Sequence, residues 1–485
     1  MLALVPALLL AAAAHPPQPG PDVPARLLGA ALAEGRALER LSELTDTVGA
    51  RLAGSPGAEA AVAWALRTLR ADGLTAWAEP VVVPVWVRGE ERGAVVATPP
   101  ALDQPLHLTA LGNSPGTPAG GVTGELLEVR TLEELADLGA RVRGKIVLFQ
   151  HAMGEGQGYG ELVGLRSRGP AAAARQGALA ALVRSLSTTS LRTPHTGQTS
   201  FGAGPAIPAA AVSVEDALLL HRLAQRGPVT VRLVLGCGPG APPTAWSANV
   251  VAEVRGRERP EEVVLISAHL DAWDLGAGAV DDGAGVAMAM EALRLLSRQP
   301  VPPRRTVRLV LYMNEENGTH GGVAYARRHA AELPRHVAAV EADAGAGRPL
   351  GASVGAGPGG LELVRRWLSP LSAMGAGEVR QGDGGVDIGP LHHQRVPVLE
   401  LWQEGSRYFH WHHSAADTLD KVVPQELLLS TGAYAVLAWQ LAEQPETLPR
   451  PPAPEEPPWW STEPLPPPAG VPLPPGAAPA AAPRP

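Results

Sequence analysis

The sequence predicts an α/β fold built on a mixed, mostly parallel β-sheet flanked by helices. Between residues 247 and 446, continuous apolar runs alternate with helical patterns. An apolar run without polar alternation is typical of a strand covered on both faces, as strands are in parallel sheets. The chain has 55 glycines and 50 prolines but only 18% charged residues, a composition that suits many loops between strands and helices.

The predicted elements of this region follow one another in a regular order. We predict strands at 263–268, 307–313, 337–343 and 396–401. We predict helices at 283–296, 321–332 and 424–441. This alternation of strand and helix indicates parallel strands joined by helical crossovers.

The N-terminal part, residues 15–115, is expected to belong to the same domain. Residues 26–75 have the apolar spacing of helices, interrupted by a turn-rich segment at 48–57 (VGARLAGSPG). A strand is expected at 78–87, although Pro80 and Pro84 interrupt its pattern.

Residues 116–240 are predicted to form a separate small α/β unit inserted into that domain. Its segments alternate between strand and helix, with a predicted helix at 171–186 and a closing strand at 228–236. Their sequence holds no acidic or histidine cluster, so we expect the chemistry in the main domain, which resumes at 241–447.

The two ends of the chain differ from the domains. Residues 1–14 (MLALVPALLLAAAA) fit a signal peptide that is too short to span a membrane, so we expect an exported protein; an apolar N-terminal helix is the alternative. Residues 448–485 are rich in proline and alanine and are expected to be a disordered tail. We expect the pair at 459–460 (WW) to pack on the domain or lie in the linker.

Charge and cysteine content exclude several classes of partner. The formal net charge is −8 and the pI is near 6.0, with no basic stripe, which argues against nucleic acid. The single cysteine, Cys237, rules out an intrachain disulfide and disfavours a cysteine-ligated metal. We expect a buried Cys237; a reactive thiol or intermolecular disulfide is the alternative.

Acidic residues and histidines gather where the predicted strands end. His269 and Asp271 follow the first strand, Glu315 and Glu316 follow the second, and the third ends on Asp343. Taken singly, such residues are more often surface pairs or helix caps. Because the carboxyl ends of parallel strands form one rim where ligands bind, we expect these side chains to converge. The further candidates are Asp281, Asp282, His412 and His413.

This set of side chains favours zinc. Imidazole together with carboxylate suits zinc better than calcium, which prefers oxygen ligands alone. Three carboxylates, those of Asp281, Glu316 and Asp343, and one bridging hydroxide balance the charge of two Zn²⁺ ions. A single zinc would leave excess negative charge in a poorly solvated cleft, which is costly.

The adjacent Glu315 and Glu316 suit different tasks. Successive side chains of extended backbone point to opposite sides, so one carboxylate can bind metal while its neighbour faces a metal-activated water as general base. Asp271 is predicted to orient the ring of His269, and Asp417 is a second candidate for such a supporting role.

The segments that carry these residues resemble one known family. HLDAWDLGAGAVDDGAG (269–285), NEENG (314–318), VEADAG (340–345) and YFHWHHSAADT (408–418) are similar to motifs of the co-catalytic di-zinc aminopeptidase and glutamate carboxypeptidase family. The likeness covers roughly residues 40–445. It implies a zinc-aminopeptidase-like fold in which 116–240 is an inserted protease-associated (PA) domain.

By position, the resemblance assigns five ligands to two zinc ions, with one aspartate bridging both. The implied ligands are His269, Asp281 and Asp343 for one ion, and Asp281, Glu316 and His413 for the other.

The same resemblance implies that Glu315 is the catalytic base. It favours His413 over His412, because His413 stands four residues before Asp417. It also implies a cis peptide bond after Asp281. The implied reaction is hydrolysis of small peptides or dipeptides by a zinc-bridged hydroxide, in a homodimeric enzyme whose PA domain covers the cleft.

The chain departs from the family pattern in three places. Asn314 stands where a small or apolar residue is usual, and the segment 317–322 is two residues longer than expected. The sequence Gly-Val-Asp at 385–387 replaces Gly-Thr-Asp, so Asp387 is only a candidate for contact with substrate. We expect surface or structural roles for His320, His392, His393 and His410.

Two other functions stay open from sequence alone. One is a cyclase-type aminoacyltransferase on the same fold, with one zinc per chain; the other is a non-catalytic, receptor-like ectodomain. The sequence does not indicate peptide length, side-chain preference, or whether an N-terminal or C-terminal residue is removed.

Overall fold

The computed structural model describes residues 23–97, 102–154, 158–452 and 464–471. Within these residues, the strands are β1 (Thr75–Val87), β2 (Glu91–Val95), β3 (Gln104–Leu106), β4 (Leu108–Ala110), β5 (Val122–Val129), β6 (Ile146–Phe149), β7 (Ala180–Arg184), β8 (Ala209–Val212), β9 (Thr230–Leu235), β10 (Gly238–Val254), β11 (Arg259–His269), β12 (Arg305–Tyr312), β13 (His336–Glu341), β14 (Pro349–Gly355), β15 (Glu378–Gln381) and β16 (Val398–Gln403). The helices are α1 (Val23–Glu34), α2 (Ala37–Glu43), α3 (Pro56–Ala71), α4 (Leu132–Leu138), α5 (Tyr159–Ser167), α6 (Gly169–Arg175), α7 (Val214–Ala224), α8 (Ala284–Ser297), α9 (His320–Arg328), α10 (Gly360–Trp367), α11 (Gly389–His393), α12 (Tyr408–Trp411) and α13 (Pro424–Glu443).

The main sheet has eight strands in the order β1-β10-β12-β11-β13-β16-β14-β15. Its central strands β12, β11, β13 and β16 are parallel, and β14 pairs in parallel with β15. The remaining pairings, β1 with β10, β10 with β12 and β14 with β16, are antiparallel. The predicted mixed, mostly parallel sheet is therefore confirmed.

Helices cover both faces of this sheet. Val264 and Ile266 of β11 face one side, in the same core cluster as residues of α1, α3, α8 and α13. Leu265, between them, faces the other side and packs in a cluster that includes Tyr325 of α9 and Leu391 of α11. Because successive strand residues point to opposite faces, an apolar run is needed to fill both cores, which is why these strands lack polar alternation.

The predicted strands and helices of the main domain are confirmed, with ends shifted by a few residues. The strand expected at 78–87 extends over Thr75–Val87 as β1, and the register with β10 shifts between Pro84 and Trp86. A proline offers no N–H to a ladder, so it is tolerated where pairing is one-sided or irregular, and β1 lies at the edge of the sheet.

A second sheet of eight strands follows the order β3-β2-β9-β5-β6-β7-β8-β4. We call residues 91–235, from β2 to β9, the second-sheet unit. Strands β2, β3 and β4 of this sheet precede residue 116, where the insertion was expected to begin. At the centre of this second sheet, strands β5, β6, β7 and β8 are parallel.

The helix predicted at 171–186 is wrong in its second half. Helix α6 ends at Arg175, and residues 180–184 form strand β7, which pairs with β6 and β8. Gly177 has a φ of +83°, a left-handed conformation that ends a helix readily in glycine. The alanine-rich run ALAALV is equally apolar in a helix or a buried strand, so its pattern did not separate the two.

The tail predicted to be disordered from residue 448 is ordered at its start. Leu448 is buried, and the Arg450 guanidinium donates to backbone carbonyls, those of Leu333, Pro334 and His336 among them. Further on, Pro466 and Val471 accept hydrogen bonds from side chains of β10. The predicted signal peptide and the Trp-Trp pair at 459–460 lie outside the described residues.

Two smaller expectations concern Cys237 and membrane spans. Cys237 is buried, as predicted, and burial raises the pKa of its thiol. Among the described helices, none combines the length and apolar character needed to cross a membrane.

Candidate metal centre

The predicted site residues lie at the carboxyl ends of three neighbouring parallel strands. His269 is the last residue of β11, Glu315 and Glu316 follow β12, and Asp343 follows β13. Strand β11 lies between β12 and β13, so these residues meet on one rim of the sheet. The convergence expected from the strand pattern is present in the fold.

Asp281 lies at the centre of the cluster, between two imidazole rings. Its Oδ1 is 3.2 Å from Nε2 of His269, and its Oδ2 is 3.2 Å from Nε2 of His413. Asp281 is only 4% exposed, in the loop between β11 and α8. One carboxylate thus presents one oxygen to each of two groups of side chains.

Each side of Asp281 has a further carboxylate. Oδ1 of Asp343 is 3.7 Å from Nε2 of His269. Oε2 of Glu316 is 3.0 Å from Nε2 of His413. The structure therefore brings together all five side chains that were predicted to hold metal.

Three carboxylate oxygens of this cluster are buried and accept no hydrogen bond from the described residues. They are Oδ2 of Asp281, Oε2 of Glu316 and Oδ1 of Asp343. A buried carboxylate oxygen without a donor is costly unless a cation compensates it. His269, Asp281 and Asp343 also bring ligand atoms within 4.8 Å of one another, so the donor set fits a zinc ion in both spacing and chemistry.

His412 lies beside the same cluster. Its Nε2 is 3.5 Å from Oδ2 of Asp281, and its ring stacks on that of His413 at 3.6 Å. Asp281, His412 and His413 form a second group of potential ligand atoms within 4.8 Å. Only His413 is also in contact with Glu316, which distinguishes the two rings.

The pKa shifts of the cluster show an excess of buried negative charge. Burial disfavours protonation of His269, but the hydrogen bond to Asp281 and the negative charge of Asp343 outweigh it and raise the pKa of His269 well above its usual value. Burial and the charge of Asp281 raise the pKa of Glu316 to about 7. Bound cations would remove the need for these carboxylates to take up protons.

Glu315 is half-buried beside the cluster. Burial, together with the charges of Asp343 and Glu316, raises the pKa of Glu315 well above its usual range. Its neighbour Glu316 instead accepts a hydrogen bond at Oε1 from the backbone N–H of Trp273, at 3.1 Å. The two adjacent carboxylates thus have different surroundings.

Asp271 supports the site differently from the prediction. Nδ1 of His269 is 3.0 Å from the backbone carbonyl of Asp271, whereas its distance to the Asp271 carboxylate is 4.0 Å. The carboxylate instead accepts hydrogen bonds from the backbone N–H groups of Asn314 and Glu315. The carboxylate is occupied by the turn after β12, so the ring of His269 is held by the main chain.

Asp417 holds the backbone on either side of the central aspartate. Its Oδ1 accepts from the N–H of Val280 at 2.7 Å, and its Oδ2 accepts from the N–H of Asp281 at 3.1 Å. The peptide bond between Asp281 and Asp282 is cis, as the motif resemblance implied. Asp282 in turn accepts from the backbone N–H of His269 at 3.1 Å.

Asp387 is fully buried, and neither of its carboxylate oxygens has a hydrogen-bond partner among the described residues. Burial and the charges of Glu341 and Glu315 raise its pKa well above the usual range. Its backbone N–H donates to Glu341 at 3.3 Å. The other histidines in question lie outside both groups of potential metal ligands: His320, His392, His393 and His410.

Arg51 is a supporting residue that the sequence analysis did not single out. Its guanidinium is fully buried and donates to the carbonyls of Leu270, Ala277 and Gly278 at 2.7, 2.5 and 2.8 Å. These carbonyls belong to the loop that joins His269 to Asp281. The turn-rich segment around Arg51 has no periodicity that would have indicated such a role.

Comparisons with known proteins identify the family of this chain. The model of peptidase family M28 matches residues 249–437. Carboxypeptidase Q of Homo sapiens is 36% identical over 420 residues, which cover 86% of this chain and 88% of the relative. Carboxypeptidase Q of Rattus norvegicus is 38% identical over 419 residues, which cover 86% of this chain and 87% of the relative.

Solved structures show the same fold. The peptidase M28 precursor from Shewanella amazonensis superposes with a TM-score of 0.84 at 38% identity, covering 89% of this chain and 98% of that one. The aminopeptidase from Aneurinibacillus sp. strain AM-1 has a TM-score of 0.61 at 19% identity, covering 90% of this chain and 99% of that one, which shows the fold alone. The resemblance found in the sequence motifs is thereby confirmed: the chain belongs to peptidase family M28 and is a metallopeptidase.

Proposed function

We propose that the protein hydrolyses small peptides with two zinc ions bound at the rim of the main sheet and Glu315 as general base. The observation that carries the proposal is the placement of Asp281, whose two oxygens face two different imidazole rings at 3.2 Å each. A carboxylate shared in this way is what a pair of neighbouring metal ions requires.

The contacts of Asp281 divide the proposed ligands into two sets. His269 and Asp343 lie on the Oδ1 side, and Glu316 and His413 lie on the Oδ2 side. His413 is preferred to His412 because its Nε2 contacts both Asp281 and Glu316. When bound, zinc polarises the scissile carbonyl and lowers the pKa of water.

Glu315 is proposed to move the proton. Its carboxylate would accept a proton from the attacking water and later donate it to the amine that leaves when the peptide bond breaks. Asp271 fixes the backbone at Glu315, so the carboxylate is presented from a rigid turn. Among the neighbouring carboxylates, Glu316 is engaged by Trp273 and His413, which leaves Glu315 as the group available for proton transfer.

The substrate class is inferred from the relatives, which are named carboxypeptidases and aminopeptidases. We propose small peptides, including dipeptides, as substrates. Assays with free, N-blocked and C-amidated dipeptides would show which terminus the enzyme requires. We further propose that the second-sheet unit is a PA domain that covers the cleft. We also propose that the enzyme forms a homodimer and is exported.

The test is the variant Glu315→Gln. It should bind two zinc ions per chain, as wild type does, but its kcat on dipeptides should fall by about 10²–10⁴-fold, the usual contribution of a general base. Glu362→Gln on the exposed surface is the matched control and should keep full activity. Near-wild-type kcat in Glu315→Gln would refute the role of Glu315, and one zinc per wild-type chain would refute the two-ion site.

A further inference from the structure

The second-sheet unit contacts the candidate metal centre directly, through Thr196. The backbone N–H of Thr196 donates to the carbonyl of His413 at 2.8 Å. In return, Nδ1 of His413 is 3.2 Å from the carbonyl of Thr196. Thr196 lies in the loop between β7 and β8, more than two hundred residues before His413 along the chain. One residue of the second-sheet unit thus holds both the main chain and the ring of His413.

This paired contact fixes which nitrogen of His413 is available to a metal. A carbonyl can only accept, so Nδ1 must carry the proton when it bonds to Thr196. The other nitrogen, Nε2, is then unprotonated and faces Asp281 and Glu316. A hydrogen bond from the far nitrogen is how proteins orient histidines that bind metal.

The main chain at His413 needs support of this kind. Its φ is +59°, in the left-handed region that residues with a side chain rarely adopt. The Thr196 N–H anchors the carbonyl of that same residue. The preceding segment is anchored as well, because Ser187 donates to the carbonyl of Phe409 at 3.2 Å and Tyr159 stacks on the Phe409 ring at 4.9 Å.

Arg166 and the Thr196 hydroxyl hold the Thr196 carbonyl in place. Nη1 of Arg166, a residue that is 5% exposed, donates to this carbonyl at 3.3 Å. The same nitrogen is 3.4 Å from Nδ1 of His413. Because a carbonyl oxygen has two lone pairs, the Thr196 oxygen can accept from Nη1 of Arg166 and from Nδ1 of His413 at the same time. Thr196 Oγ1 donates to the carbonyl of Ala110 at 2.8 Å. A side chain at Gly197 would overlap the Arg166 guanidinium, so this glycine leaves room for it.

We propose that Arg166 and Thr196 are positioning residues that set the tautomer and orientation of His413, so that metal binding on the His413 side depends on the second-sheet unit. The inference rests on the proposed role of His413 as a ligand. The second-sheet unit would then help to form the metal centre, in addition to its proposed role of covering the cleft. The dependence is one-sided, because the Thr196 contact is made to His413 and not to His269.

The experiment measures zinc binding, not activity alone. Arg166→Met, Arg166→Lys and Thr196→Val are titrated with zinc in the full chain, against Arg232→Met as matched control. Arg232 lies in the same unit and also donates to a backbone carbonyl, that of Gly120. Cobalt substitution gives an absorption spectrum that reports the ligands of each ion separately.

We expect Arg166→Met to weaken the binding of one of the two zinc ions by about 10–100-fold. This is the usual effect of losing the hydrogen-bond partner of a metal-bound histidine. The other ion should bind as in wild type. Arg166→Lys keeps a donor and should restore part of the loss, and Arg232→Met should bind both ions normally. If Arg166→Met does not fold, Arg166→Lys and Thr196→Val are compared with wild type, and each should weaken binding of the same ion by a smaller factor. Thr196→Val loses the hydroxyl bond to Ala110 that holds the loop but keeps the main-chain contacts to His413.

The outcomes separate this inference from the proposed function. If wild type binds two zinc ions, and Arg166→Met and Thr196→Val bind both ions with unchanged affinity, only the positioning role is overturned. Equal weakening of both ions would also overturn it, because a general loss of structure does not select one side. A wild type that binds fewer than two ions overturns the proposed function and this inference with it.

Discussion

The backbone N–H of Glu315 donates to Oδ1 of Asp271 in a hydrogen bond of 3.1 Å. The same oxygen accepts from the N–H of Asn314 at 2.7 Å, and Oδ2 is 3.4 Å from the N–H of Glu316. The backbone carbonyl of Asp271 is 3.0 Å from Nδ1 of His269. One buried residue therefore fixes the turn that carries the proposed base and the ring of a proposed ligand.

Replacing Asp271 should impair catalysis. Asp271→Ala leaves the N–H groups of the turn after β12 without an acceptor, and we expect kcat/KM on a dipeptide to fall by about 10–100-fold or more, as for other groups that support metal ligands. Asp271→Asn keeps one acceptor oxygen and should lose less. Asp420→Asn, on the surface, is the control. Wild-type kcat/KM in Asp271→Ala would contradict this role.

The strand ends were predictable because their signal is local. Apolar runs such as that of β12 end abruptly on charged residues, and the parallel arrangement follows from the intervening helices. The role of the Asp271 carboxylate was not predictable in this way. A carboxylate next to a histidine suggests a contact with its ring, but the fold brings the N–H groups of Asn314 and Glu315 closer, and these are donors that any sequence has.

Zinc should stabilise the folded protein. Asp281, Glu316 and Asp343 each have a buried oxygen without a donor, and cations would compensate them. By linkage, free zinc at one hundred times its Kd adds about 2.7 kcal/mol per site. We therefore expect a chelator to lower Tm and abolish activity, and added zinc to reverse both.

The same experiment with variants tests the bridging position. Asp281→Asn should lose binding of both ions, whereas Asp343→Asn should lose one. Zinc content after dialysis distinguishes the two variants. A Tm that does not change with chelator, or an Asp281→Asn variant that keeps both ions, would contradict the arrangement.

Arg51 should matter for metal binding although its hydrogen bonds go to backbone carbonyls and not to the proposed ligand side chains. Arg51→Met leaves the carbonyls of Leu270, Ala277 and Gly278 without their donor, and each such loss costs about 1–3 kcal/mol. Because these carbonyls lie between His269 and Asp281, we expect a lower Tm and a zinc Kd that is higher by about 10-fold or more.

The matched control for Arg51 is Arg450. Its guanidinium also donates to backbone carbonyls, those of Leu333, Pro334 and His336, but at the other end of the sheet, where β13 begins. Arg450→Met should lower Tm while zinc affinity stays at the wild-type value. Equal zinc affinity in both variants would show that Arg51 only stabilises the fold.

Residues like Arg51 and Thr196 could not be predicted from the sequence. Their contacts are made through backbone carbonyls of distant segments, and a carbonyl leaves no signature in the residue type that carries it. The same limit affected residues 180–184, where the choice between helix and strand was decided by pairing with β6 and β8. Candidate ligands could be named from the sequence because zinc restricts the residue types that can bind it.

A partly buried ionic cluster away from the metal centre predicts how stability depends on pH. The carboxylate of Glu332 is 3.3 Å from Nδ1 of His329 and 3.1 Å from Nη1 of Arg308. The hydrogen bond to His329 and the charge of Arg308 outweigh partial burial and lower the pKa of Glu332 from 4.5 to about 2. A carboxyl with a lowered pKa stabilises the fold above its ordinary value, and the contribution is lost as pH falls towards the folded value.

His329 responds in the opposite direction. Burial disfavours its charge, but the hydrogen bonds to Glu332 and Glu79 outweigh burial and raise its pKa above the ordinary 6.5. Its contribution is therefore complete below pH 6.5 and is lost as pH rises through the folded value. The two groups together stabilise the protein most between pH 4.5 and 6.5, where both are charged.

We therefore expect Glu332→Gln to be less stable than wild type at pH 6, and the difference in urea midpoint to shrink steadily as pH falls from 4.5 towards 2. Protonation removes in wild type the same charge that the substitution removes in the variant, so the two proteins converge. Glu446→Gln is the control, because its pair with Arg366 is more than half exposed and should contribute little at any pH. A difference in midpoint for Glu332→Gln that is the same at pH 6 and pH 3 would show that lost packing, and not lost charge, destabilises the variant.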